Sequence, residues 1–189
     1  MKKQSLYPLK VTAMLAMLVA ISIICGKYLA IRGGDILRFS FENLPIIFAG
    51  LSFGPVAGIL VGVVADLVGC VMVGYTINPL VTLGAAAIGA ISGLSGMLFR
   101  KLGIKGWLNI SLSVATAHIV GSVLIKTFGL AAFYDLPLWA LMLWRLLNYV
   151  IVGAVEAALL IILLKNREIA RLISEMRQKK KETKKNDIQ

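Results

Sequence analysis

Apolar positions in this chain come in blocks far longer than the stripe of a surface helix. The first block covers residues 9 to about 31. It exceeds the about 7–15-residue core of a cleaved leader and runs on into more apolar sequence, so it predicts a first membrane helix. Lys10 and Lys27 flank its uncharged middle, where long side chains snorkel toward an interface. A polar stretch follows at 32–42. Residues 43–99 then carry a single charge, Asp66. That length is too great for one helix. Gly54-Pro55 breaks it, because Pro lacks a backbone donor and Gly is permissive, and Gly74 to Pro79 breaks it again. The pattern predicts helices at about 43–53, 55–74 and 79–99. The second is only ~16 Å long at 1.5 Å per residue, marginal for a full span. Beyond a basic loop (Arg100, Lys101, Lys105), a fifth helix runs from about 107 to the neighbourhood of 128–133. A corner at Asp135 and Pro137 precedes a sixth at about 138–164.

Composition sharpens that pattern into a class. The chain is 59% hydrophobic and 15% charged, against about 45–50% and about 25% for a soluble domain. The expected fold is therefore all-α: an integral membrane protein of six transmembrane helices in one domain, 1–164. Residues 165–189 form a basic cytosolic tail of net charge +5, rich in helix formers and without Gly or Pro, into which the sixth helix can continue. Beside so apolar a body, the tail reads as an inner-leaflet contact rather than a nucleic-acid contact. Lys2, Lys3, Lys10 and the three basic residues of the 4–5 loop place both termini in the cytosol, with 32–41, 74–79 and 132–137 outside. Arg32 and Arg38 are exceptions to that bias. Either they balance Asp35 and Glu42 in a solvated loop, or they meet an anionic ligand.

The sequence has no phosphate-binding loop, no nucleophile elbow, no zinc-protease motif and no Cys/His cluster. Cys25 and Cys70 lie in apolar runs and read as small hydrophobes. A pump with its own ATPase is excluded. A transporter, a channel, a membrane enzyme with an unusual site or a substrate-binding membrane subunit remain.

Ionisable residues inside a span are functional candidates by default. Asp66 falls roughly 16 Å into the third helix, near mid-bilayer. It either binds a ligand N–H or fixes helix packing. Arg145 falls roughly 12 Å into the sixth helix. Asn148 and Tyr149 share its face at i+3 and i+4, which suits a ligand with carbonyl or carboxylate groups. The alternative is an internal ion pair with Asp66 or Glu156. Lys126 either snorkels or meets a ligand, and His118 reads as a packing residue. Small residues recur at Gly58, Gly62 and Gly69 and at Gly89, Gly93 and Gly96, the spacing of closely packed membrane helices. Ala13, Ala16 and Ala20 make a similar face on the first helix, either internal or a docking surface.

The run Leu44-Pro45 to Gly50, Phe53-Gly54-Pro55, Gly58, Gly62, Ala65-Asp66-Leu67, Gly69, and Asn78-Pro79 leading into Thr82-Leu83 resembles the S components of energy-coupling factor vitamin transporters, folate family. The resemblance is strongest over 44–100. Where that family has a Tyr-Phe-Pro-Gly-like turn after Gly74, this chain has Tyr75-Thr-Ile-Asn-Pro79. The resemblance implies a non-catalytic vitamin-binding subunit in the cell membrane of a Gram-positive bacterium, without a metal or cofactor. Its partners would be a transmembrane coupling subunit, docked at Ala13, Ala16 and Ala20, and two cytosolic ATPases. For folate, a carboxylate or amide suits the pterin edge (Asp66, with Asn78 and Thr82 in the ligand-loop region). Phe39, Tyr75, Trp144 or Tyr149 could stack on the rings. Arg32, Arg38, Lys126 or Arg145 could meet carboxylates or carbonyls, and Phe39 and Phe41 could cover the pocket. Riboflavin, thiamine or pantothenate would be alternative ligands. A proton-coupled secondary transporter using Asp66 and Glu156 is the rival class.

Overall fold

The computed structural model describes residues 9–33 and 37–186, with the side chains of 32, 33, 37, 38 and 177–186 outside that description. The order is α1 (Leu9–Ile23), ending in a π-helical turn (Ile24–Tyr28); strands β1 (Ile31–Gly33) and β2 (Leu37–Phe39); α2 (Asn43–Phe53); α3 (Pro55–Val73); α4 (Pro79–Lys101); α5 (Trp107–Ala117), continued through a π-helical stretch (His118–Ile125) into α6 (Lys126–Tyr134); α7 (Leu138–Lys165); and α8 (Arg167–Asn186). Five helical runs are long and apolar enough to cross a membrane, and α2 is a shorter apolar helix. The predicted boundaries 43–53, 55–74, 79–99 and 138–164 fall within two residues of the observed ones.

Two features differ from the sequence reading, and a third, the short α2, agrees with it and gains a physical reason. The 1–2 connection is not irregular throughout: β1 and β2 pair antiparallel, with Ile31 opposite Phe39. Next, α2 is short because the chain reaches it from inside the bundle. Ser22 Oγ on α1 donates to the Glu42 carbonyl at 2.7 Å, and Ser40, Asn43 and all of α2 beyond Leu44 are buried. A helix that starts at that depth needs only part of the membrane thickness to reach the far side. Finally, α7 does not run on into the tail. Asn166 adopts an extended backbone (ψ 126°), and its side chain accepts the Glu168 N–H at 3.0 Å, starting α8 afresh. Ile173 and Met176 of α8 then join the apolar core built on α1, α2, α3 and α5.

Close approach of α2, α3 and α4 depends on glycine. A Cβ on Gly58 or on Gly89 would overlap the backbone of the other, and one on Gly62 would strike the Ala85 carbonyl. In lipid, where apolar side chains gain little by leaving the acyl phase, such backbone contact is a main source of helix association. The small-residue stripes of the third and fourth helices therefore face inward. The one on α1 does not: Val11, Leu15, Leu18, Ser22 and Ile23 are its buried positions, while Ala13, Ala16 and Ala20 are exposed.

Candidate functional site

Residues 31–33, 37–42, 74–78 and 135–137 gather at one end of the bundle, and 102–106 with α8 at the other. At the first end, α3 stops at Gly74, whose left-handed φ of 67° turns the chain toward α4. Asn78 then caps α4. Its Oδ1 accepts from the N–H of Leu80 at 3.0 Å, and its Nδ2 donates to the Gly129 carbonyl at 2.9 Å. One buried side chain thus starts α4 and ties the 74–78 loop to α6.

Beneath that loop lies a cavity of about 230 Å³. Its walls include Lys27, Asp66, Tyr75, Thr76, Asn78 and Tyr134. The Asp66 carboxylate accepts from Thr82 Oγ1 at 2.7 Å. The π-helical turn at the end of α1 swings Lys27 inward, 3.6 Å from Cys70 Sγ and 5.6 Å from the centre of the Tyr75 ring. Lys27 therefore does not simply reach for an interface as the sequence suggested. Cys70 is buried there, as its place in an apolar run implied.

Lys27 and Asp66 also border a second small recess below, with Glu42 and Lys126. Lys126 is 3% exposed. Its ammonium lies 2.9 Å from Glu42 Oε1 and 3.4 Å from Asn43 Oδ1. Two cations and two carboxylates thus stand around one internal region. An unpaired charge there would be strongly disfavoured, and the pairing makes the set tolerable. The pair joins α6 to the start of α2, so Lys126 neither snorkels nor opens freely toward a ligand.

The predicted Arg145, Asn148 and Tyr149 face lies elsewhere. Arg145 Nη2 donates to the Ser122 carbonyl at 3.2 Å and to the Tyr149 hydroxyl at 3.3 Å. The Tyr149 ring stacks on His118 at 4.9 Å. His118 Nε2 lies 2.6 Å from Glu156 Oε2, with both side chains almost wholly buried. These residues form an internal network across the π-helical stretch, whose wide turn leaves the Ser122 carbonyl available. Arg145 pairs with neither Asp66 nor Glu156. Asn148 is buried beside it and Trp144 is exposed on the outer surface. The neighbouring cleft between α5 and α7, about 560 Å³, is walled mainly by aliphatic groups such as Val114, Ile119, Val150 and Ala154, as suits a lipid-facing surface. Phe39 is half-buried in β2. Arg38 belongs to the same strand, but its side chain, like that of Arg32, lies outside the described residues.

Of the residues singled out from sequence, the structure brings together Asp66, Tyr75, Asn78 and Thr82, with Lys126 just below them. It separates Arg145, Asn148, Tyr149 and Trp144. Lys27, Glu42 and Tyr134 are additions. Lys27 was visible as a cation next to Gly26 at the end of an apolar run, but only the π-helical turn gives its direction.

Fold and site together define a multi-pass helical membrane protein with a charge-balanced recess open toward one end. The family model described as ECF transporter, substrate-specific component, matches residues 10–166, and the chain belongs to that family. Among solved structures it is similar to FolT bound with folic acid, at 23% identity and a TM-score of 0.63 over 79% of this chain and 88% of that one. It is also similar to the S component of a bacterial ECF transporter, at 23% identity and a TM-score of 0.60 over 87% of this chain and 97% of that one. A third similar structure is the S component for biotin from an ECF-type ABC transporter, at 17% identity and a TM-score of 0.60, covering 83% and 92%. A comparison with curated proteins returns no match.

Proposed function

We propose that this substrate-specific component binds folate in the recess beneath the 74–78 loop. The observation that carries the reading is the convergence of Asp66, Lys27 and two tyrosines, Tyr75 and Tyr134, on one cavity. A pterin has N–H donors along one edge, which a carboxylate accepts, and flat faces, which aromatic rings cover. Thr82 holds the Asp66 carboxylate in place. Lys27 supplies a cation for a carbonyl or carboxylate. A pocket that encloses a drug-sized ligand has about 300–1,000 Å³, so 230 Å³ suits the bicyclic end, with the benzoyl-glutamate directed toward the loops. In this reading Phe39 and Phe41, in and after the hairpin, would cover the mouth once the ligand is bound.

The likeness to a FolT structure with folic acid supports the ligand, and the biotin S component marks the main rival. Isothermal calorimetry on the purified wild-type chain tests the choice. Folate should release heat with a saturable isotherm. Heat with biotin, riboflavin, thiamine or pantothenate and none with folate overturns the ligand while leaving the family intact. Membership implies work with an energy-coupling module. In this reading the module comprises a coupling subunit docked on the exposed Ala13, Ala16 and Ala20 face and two ATPases at the cytosolic end.

A further inference from the structure

The opposite end of the molecule holds a second groove, which the vitamin site does not use. It has a volume of about 330 Å³ and lies between the end of α2, the 4–5 loop, α5 and the returning α8. Its inner wall is mainly apolar, with Leu51, Ile110, Leu164 and Ile173 beside Ser52 and Asn109. Its rim carries Arg100 and Lys105. Among the described residues, no acidic side chain lines it. Arg100 donates through Nε to the Gly96 carbonyl at 3.0 Å, which fixes the side chain and leaves both terminal nitrogens without a partner among the described residues. Lys105 likewise has no polar partner among them.

Charge on this end is one-sided. The last turn of α4 and the loop after it carry three basic residues, Arg100, Lys101 and Lys105, and no acid, and α8 has eight basic against three acidic residues. Trp107, 62% exposed, stands beside Lys105 at the start of α5, as indole rings do at headgroup level. The groove exists because the chain breaks at Asn166 between α7 and α8 and α8 folds back, contributing Ala170 and Ile173.

We infer that this groove binds an anionic phospholipid, with the phosphate at Arg100 and Lys105 and the upper acyl chain against Leu51, Ile110, Leu164 and Ile173. An apolar wall below two unpaired cations matches an amphiphile with a negative head. Basic pockets at the cytosolic ends of membrane helices recognise lipid phosphates in this way. The apolar wall distinguishes the site from one for a free anion. The unpaired cations distinguish it from one for a neutral lipid. The lipid would also bridge α8 to the 4–5 loop and hold the tail helix against the bundle.

The test uses the full chain in nanodiscs of phosphatidylcholine, with or without phosphatidylglycerol, and reads the phosphatidylglycerol retained on gentle detergent extraction. Wild type should enrich phosphatidylglycerol over phosphatidylcholine. The double variant Arg100→Gln with Lys105→Gln should lose that enrichment by roughly thirtyfold, as for two basic residues near the headgroups. Arg171→Gln removes an exposed charge of α8 outside the groove and should retain it. A thermal melting curve of the double variant, recorded alongside, reports that it is folded. Equal loss in Arg171→Gln would assign the effect to bulk charge and overturn the site. Absence of any phosphatidylglycerol preference would do the same. Displacement of the lipid by inorganic phosphate alone would replace it with a simple anion site.

Discussion

Asp66 is the sole charged residue between positions 43 and 99, and its setting gives it a definite task. Thr82 donates to one oxygen at 2.7 Å, and the residue borders the cavity under the 74–78 loop. Asp66→Asn keeps the shape but removes the charge and turns one acceptor into a donor. Folate affinity should fall by about 1.5–3 kcal/mol, the worth of a hydrogen bond to a charged group, with the thermal midpoint in detergent little changed. Calorimetry and a melting curve on the same preparation check both halves. Arg145 should behave in the opposite way. Its donors go to Ser122 and Tyr149, so Arg145→Ala should cost about 1–2 kcal/mol of stability and leave folate affinity nearly unaltered. A large loss of affinity without loss of stability would return Arg145 to the binding site. The difference between these two residues was not legible in the sequence. Both are charges within apolar runs, and helical spacing correctly grouped Arg145 with Tyr149. Spacing along one helix does not say which neighbouring helix supplies the partner.

At the scale of elements, α1 shows how periodicity and packing combine. Its buried positions Val11, Leu15 and Leu18 and its exposed positions Ala13, Ala16 and Ala20 interleave at helical spacing, and both sets are small or aliphatic. In a soluble protein a polar face would mark the outside. In lipid both faces are apolar, so the hydrophobic pattern cannot tell them apart. The exposed small face leaves room for another helix. Ala16→Trp should therefore leave folding and folate binding intact while abolishing co-purification of the coupling subunit. Pull-down of a tagged coupling subunit, with calorimetry in parallel, checks this outcome. Loss of folate binding together with assembly would instead mean overpacking against this chain's own helices, a penalty of about 1–3 kcal/mol.

For the whole molecule, the orientation of the two ends decides which site faces which compartment. The proposed binding recess opens toward 37–42, 74–78 and 135–137. The basic loop and α8 lie opposite. Basic residues in short loops remain on the cytosolic side, so the recess should face outward. In a background with Cys25 and Cys70 replaced by Ala, Ile77→Cys should react with an impermeant maleimide added to intact cells, and Leu102→Cys should not. Both positions are exposed. Labelling of Leu102→Cys alone would invert the molecule and place the lipid groove in the outer leaflet.

The sequence by itself determined the membrane class, the helix boundaries and the tight faces of α3 and α4. Those features follow from local quantities: the length of an apolar run, a Gly-Pro break, and the absence of side-chain bulk at a regular spacing. The Leu44-to-Leu83 pattern carried the family as well. Only the tertiary structure decided the site. It turned Lys27 inward through a π-helical turn, lowered Glu42 into the bundle to meet Lys126, and enclosed the Arg145 network around His118 and Glu156. It also folded α8 back so that Ile173 reached the core. The physical reason is that each depends on contacts between distant parts of the chain. A buried charge is stabilised by whatever partner the packing brings within about 3 Å, and His118–Glu156 and Glu42–Lys126 are 38 and 84 residues apart along the chain; Ile173 is held by apolar contacts just as remote in sequence.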